Sequence, residues 1–200
     1  MEMMMMMTTT RRAMWFGLAA VLSCGSAGVA AAADGVQGPA TGLVETVQRA
    51  VERYRDPADA DAAGWKSANA CVSGPEEGAM GVHFIKGSIL FDGAINPEEP
   101  EALIYEVRGN RARLVGVEFI VIASQWHEHN PGPPVIMGQQ AHLVDAPNRY
   151  GLDPFYELHV WAFRPNVKGT FVDWNPAVSC AGFVAEDTPQ MTATHQHGQP

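Results

Sequence analysis

Three polar side chains stand inside segments that otherwise read as apolar strands: His83, Glu118 and His159. Glu118 is the sharpest of them. An unpaired carboxylate in an apolar strand is costly, so it must be neutral, paired with a cation or bound to a metal. His83 and His159 sit mid-strand too. A lone strand histidine is most simply a satisfied core residue. Two imidazoles and one carboxylate together form a common metal-ligand set, suited to Zn, Cu or Fe. The same groups serve as general acid and base when burial shifts their pKa values. The three lie on separate strands, so spacing alone does not join them. They act together only if those strands are neighbours and present one face.

Glu157 and Trp161 share a face with His159, at alternate positions of one strand. Glu157 is placed to orient the His159 ring as an outer acceptor, and Trp161 to pack beside it. A second constellation is His127-Glu128-His129, with His142 as a further member. In an extended segment its two rings would share a side, as in a cupin metal motif. The glutamate expected soon afterwards is missing from Asn130-Pro131-Gly132-Pro133-Pro134, so a solvated loop tip is the simpler reading. No Gly-x-Ser-x-Gly and no Gly-rich phosphate loop occurs. Trp126, Trp161, Trp174 and Tyr156 fit either a small-molecule pocket or ordinary core packing.

The elements that must position these residues follow from periodicity. Leu43, Val44, Val47, Ala50, Val51 and Tyr54 fall on one face of a helix starting at Thr41. Asp56-Pro57 is an N-cap followed by proline at the first helical position, which predicts a short helix to about Gly64 with Trp65 at its end. Residues 69–79 read as a loop holding Cys71. Residues 81–86 read as a strand with His83 and Ile85 on one face. Residues 101–107 and 113–123 are the clearest strands, joined by a hairpin turn at Arg108-Gly109-Asn110. In the second, Val115, Val117, Phe119 and Val121 are assigned to one face, and Leu114, Glu118, Ile120 and Ile122 to the other. Two apolar faces predict a central, covered strand. Residues 155–163 read as the last strand.

The chain has 200 residues and a formal net charge of −9. The acidity excludes nucleic acid as an expected partner, because phosphate binding needs clustered Lys and Arg. The first 33 residues read as a signal peptide. Arg11 and Arg12 form a positive region, residues 13–22 an apolar run too short to span a membrane, and Ala31-Ala32-Ala33 a cleavage pattern. Val21-Leu22-Ser23-Cys24 offers a lipoprotein alternative anchored through Cys24, and the arginine pair a twin-arginine one. Residues 34–40 read as a linker, 41–183 as one α+β domain and 184–200 as a disordered tail, whose His195 and His197 carry no specific role. No transmembrane span is expected in the mature chain. After cleavage only Cys71 and Cys180 remain, and an even pair in an exported protein reads as a disulfide. The rival reading, two thiols on a metal, lacks CxxC spacing.

Several segments resemble a family of uncharacterised exported bacterial proteins. They are Ala63-Gly64-Trp65, Met80–His83, Leu114–Glu118, Leu158–Trp161 and Trp174–Cys180. The resemblance covers roughly residues 41–180. It implies that His83, Glu118, His159 and Trp161 stand in signature segments, and it implies no known activity.

The expected fold is therefore α+β, with N-terminal helices packed on a mainly antiparallel sheet or partial barrel. The expected function is an exported small-ligand or metal-binding module, with a divalent transition metal at His83, Glu118 and His159. The alternatives are a metal-dependent or acid/base enzyme using the same residues, and a structural envelope protein without a ligand.

Overall fold

The apolar repeat Leu43, Val47, Val51 and Tyr54 forms helix α1, Pro39–Val51, which closes in a 3-10 turn at Glu52–Tyr54. Asp56 then caps helix α2, Pro57–Ala62, by accepting a hydrogen bond from the Ala58 amide at 2.9 Å. The computed structural model describes residues 39–184, apart from 75 and 110. The expected signal peptide, most of the linker, and the tail with His195 and His197 lie outside the described residues. Among the described residues, no helix is long and apolar enough to cross a membrane.

The strands are β1 (Lys66–Gly74), β2 (Gly78–Ile85), β3 (Ala102–Arg108), β4 (Arg111–Ile122), β5 (Val135–Ile136), β6 (Gln139–Gln140), β7 (His142–Val144) and β8 (Phe155–Val160). A short helix α3, Ala123–His127, follows β4. Strands β1-β2-β3-β4-β8-β7 form one antiparallel sheet in that order, open at both ends, while β5 and β6 pair separately. The sheet does not close into a barrel.

Two expectations are corrected. The segment expected as a loop around Cys71 is edge strand β1. Its sequence is polar and small, and its register with β2 shifts twice. An edge strand has only one neighbour, so it forms without the apolar alternation that marks an interior strand. The second correction concerns β4. Tyr105 pairs with Leu114 and Ile104 with Gly116, which leaves Val115 as an extra, bulged residue. The bulge reverses alternation on its far side. Leu114 therefore joins Val117 and Phe119 in the main core, and Val115 joins Ile104 and Trp161 on the opposite face.

The two sheet faces are chemically distinct. One carries Leu103, Tyr105, Val117, Phe119, Leu158 and Val160, in a buried cluster that includes Leu43 and Val47 of α1. The other carries two smaller apolar clusters, one around Ile104 and Trp161, the other around Ala102, Ile120 and Phe155. The polar residues of interest lie on this second face, between the clusters. Cys71 and Cys180 are joined by a disulfide across a separation of 109 residues. Chain-entropy arguments value such a closure at roughly 4–5 kcal/mol.

Candidate metal centre

Strand register brings Glu118 and His159 together, because they are cross-strand partners on β4 and β8. His83 arrives differently. It lies on β2, two strands from Glu118, with β3 between. Its partner on β3 is Ile104, and the partner of Glu118 there is Ala102. The residue of β3 opposite Glu118 is thus the small Ala102, and the His83 ring spans β3 to come within 3.1 Å of Glu118. The sequence argument required neighbouring strands. A shared face and a small residue between proved sufficient.

The resulting trio is tight and sealed. His83 Nε2 lies 3.1 Å and His159 Nε2 3.9 Å from the same Glu118 oxygen, Oε2. The side chains of His83, Glu118 and His159 are 6, 4 and 0% exposed, respectively, so bulk water does not satisfy their polar atoms. His83 Nε2 and both ring nitrogens of His159 lack a well-directed hydrogen bond. Buried polar atoms are ordinarily hydrogen-bonded, and the groups that face these nitrogens are the carboxylates of Glu118 and Asp173. Two glycines help to hold the geometry. Gly81 has φ +101°, and a Cβ there would meet the Tyr105 carbonyl oxygen at 2.8 Å. A Cβ at Gly116 would stand 2.6 Å from the Val160 carbonyl oxygen, so only glycine permits the close approach of β4 and β8 beside Glu118.

A second group adjoins the first. His142 on β7 pairs in register with Glu157 on β8, and its Nε2 lies 3.0 Å from Glu157 Oε1. Asp173 completes it, with Oδ2 3.6 Å from His142 Nε2. Asp173 also touches the first trio, because its Oδ1 lies 3.5 Å from His159 Nδ1. Glu157 was expected to orient His159. The structure gives that position to Asp173 and pairs Glu157 with His142.

Asp173 is the residue that sequence reasoning missed. It sits in an irregular segment after β8, and long-range contacts put it in place. Trp161 stacks on His159 at 6.2 Å between ring centroids and donates from Nε1 to the Val172 carbonyl at 2.6 Å. Ala79 and Asn175 exchange two backbone hydrogen bonds, and the disulfide secures the end of the segment. Trp161 thus contacts His159 on one side and the residue before Asp173 on the other.

The electrostatics follow from burial opposed by neighbours. Burial alone would raise the Glu118 pKa, but His159 and His83 outweigh it and hold the carboxyl low, at about 2. Burial alone would lower His159. The charge of Glu118 and the contact with Asp173 reverse this and push the imidazole up to about 9. Glu157 is raised to about 7 by burial, which the His142 contact offsets in part and the Glu118 charge reinforces. His142 is raised, first by its hydrogen bond to Glu157. Tyr150 is also raised, mainly by burial and then by the charges of Glu118 and Glu157. Its hydroxyl donates to Met80 Sδ at 3.6 Å, and the charges of Glu118 and Glu157 that it feels mark it as a second unforeseen residue near the site.

The His127-Glu128-His129 segment stands apart. His127 ends α3 and the chain turns there, so the segment is not extended. His127 Nδ1 lies 2.9 Å from the Asn130 carbonyl oxygen, and its Nε2 lies 3.0 Å from the Tyr156 hydroxyl. Both nitrogens are thus engaged. No family model, curated protein or solved structure matches the chain.

Proposed function

We propose that this protein binds a transition-metal ion through His83, Glu118 and His159. The observation that carries the reading is the convergence of His83 Nε2 and His159 Nε2 on one Glu118 oxygen, in a buried site closed to bulk water. The three ligand atoms lie within 4.8 Å of one another. Donors around a tetrahedral zinc ion, with bonds of roughly 2.0–2.1 Å, stand about 3.3 Å apart. A small inward movement closes the site on an ion. Two nitrogens and one oxygen suit Zn, Cu or Fe.

Asp173 stands where an outer carboxylate holds the far nitrogen of a ligating histidine, and Trp161 fixes the ring plane. The burial of all three ligands favours holding the ion over turnover on it, since catalytic zinc sites keep an open position. We place the protein in an oxidising, extracytoplasmic compartment, as its Cys71–Cys180 disulfide favours, with its helices covering the sheet face opposite the metal. The resemblance to uncharacterised exported proteins belongs to the same reading.

The test is thermal unfolding of chelator-stripped protein, purified without a histidine tag, with and without added Zn, Cu or Fe salts. Stoichiometric metal should raise Tm by several degrees, since ligation of the folded state adds directly to stability. His83→Ala and Glu118→Gln should each diminish the rise. An unchanged Tm with all three metals would sink the proposal.

A further inference from the structure

We infer that a second metal ion binds beside the first, held by His142, Glu157 and Asp173. This inference rests on the first site as read above and extends it to a two-ion centre.

Three observations carry it. The ligand atoms of His142, Glu157 and Asp173 lie within 4.8 Å of one another, as compactly as those of the first trio. Glu157 is 3% exposed, and no donor is directed at its second carboxylate oxygen, Oε2, while the carboxylate of Glu118 is a further neighbour of the residue. One oxygen faces His142 and the other is left over, so the residue holds more acceptor capacity than its protein neighbours use.

The third observation is the charge count. Glu118 and Glu157 are buried on adjacent strands, one alternate position apart on the same face, and Asp173 closes the group. Among the described residues, only histidines lie within ion-pair distance of these three carboxylates. Buried carboxylates need cations or protons. One divalent ion at the first trio leaves Glu157 and Asp173 with the imidazole of His142 and the far nitrogen of His159, Nδ1, which faces Asp173 alone.

The two positions differ in access. The first trio is closed, whereas the side chains of His142 and Asp173 are 47 and 27% exposed. An ion can therefore reach the second position from solvent and exchange there. Asp173 links the two, with Oδ1 toward His159 and Oδ2 toward His142. Filling one site therefore stiffens a residue used by the other.

The test is the zinc-to-protein ratio. Protein carrying His195→Ala and His197→Ala, to remove tail binding, is stripped with chelator, titrated with zinc chloride and desalted. The parent should hold two ions per chain. His142→Gln should hold one, and so should Asp173→Asn. Glu118→Gln should also hold one, at the second position. A parent ratio of one that His142→Gln leaves unchanged would overturn the second site and leave the first standing. A ratio of two that persists in His142→Gln would place the second ion elsewhere and overturn it too. A ratio of zero would overturn both readings together.

Discussion

His159 Nδ1 lies 3.5 Å from Asp173 Oδ1, while its other nitrogen, Nε2, faces Glu118 Oε2 at 3.9 Å. One fully buried ring therefore spans two carboxylates on opposite edges. That is the arrangement in which an outer carboxylate fixes the tautomer of a ligating histidine and raises its basicity. In the proposed centre Asp173 is therefore the positioning residue for the first ion.

Asp173→Asn should weaken zinc binding at the first trio by roughly 10–100-fold, the usual cost of losing such a partner. Asp173 is partly exposed, so Tm of the metal-free protein should move little. The check is a competition titration against a chelator of known affinity. His127→Ala is the control and should leave affinity unchanged. Equal affinities for Asp173→Asn and the parent would remove Asp173 from the account.

Gly116→Ala tests the strand approach that sets Glu118 against His159. Its Cβ would lie 2.6 Å from the Val160 carbonyl oxygen, and backbone at that distance yields only by moving a strand. A destabilisation of about 1–3 kcal/mol is expected, read from the urea midpoint of metal-free protein. Zinc affinity should fall as well. A variant as stable as the parent would show that β4 and β8 separate freely.

Glu101 supplies a pH test away from the ligands. It is buried, its Oε2 accepts from the Ile120 amide at 2.9 Å, and burial pushes its pKa from 4.5 up to about 8. The folded state therefore keeps a proton that the unfolded chain releases above its ordinary value. Its contribution to stability is full below about pH 4.5, falls as pH rises toward 8 and is flat beyond. Glu101→Gln keeps an acceptor for Ile120 and loses the titration. The Tm of the variant should equal or slightly trail that of the parent near pH 4.5 and exceed it near pH 8. Parallel Tm curves across that range would contradict a raised Glu101.

What the sequence made legible was decided by contrast. Glu118 stood out because Val117, Phe119, Val121 and their neighbours make its strand apolar on both faces. His83 and His159 stood out for the same reason. The helix at Leu43–Val51 and the cap at Asp56 were readable because period and capping are local. Asp173 was illegible because nothing within a few residues of it sets its position. That position depends on the Trp161 indole reaching Val172, on the Ala79–Asn175 pairing and on the disulfide. The Val115 bulge was invisible for a related reason. Any residue of an apolar run satisfies the pattern, and only the register with β3 shows which one is extra. The pairing of Glu157 with His142 was illegible because His142 stands on a strand of three residues, too short to announce itself.

The central claim is that an ion sits among His83, Glu118 and His159, and anomalous diffraction tests it most directly. Crystals of chelator-stripped protein soaked with zinc chloride should be measured on both sides of the zinc absorption edge. The account predicts an anomalous peak within roughly 2.0–2.2 Å of His83 Nε2, His159 Nε2 and a Glu118 carboxylate oxygen. Peaks confined to surface histidines such as His129, with the buried trio empty, would contradict it.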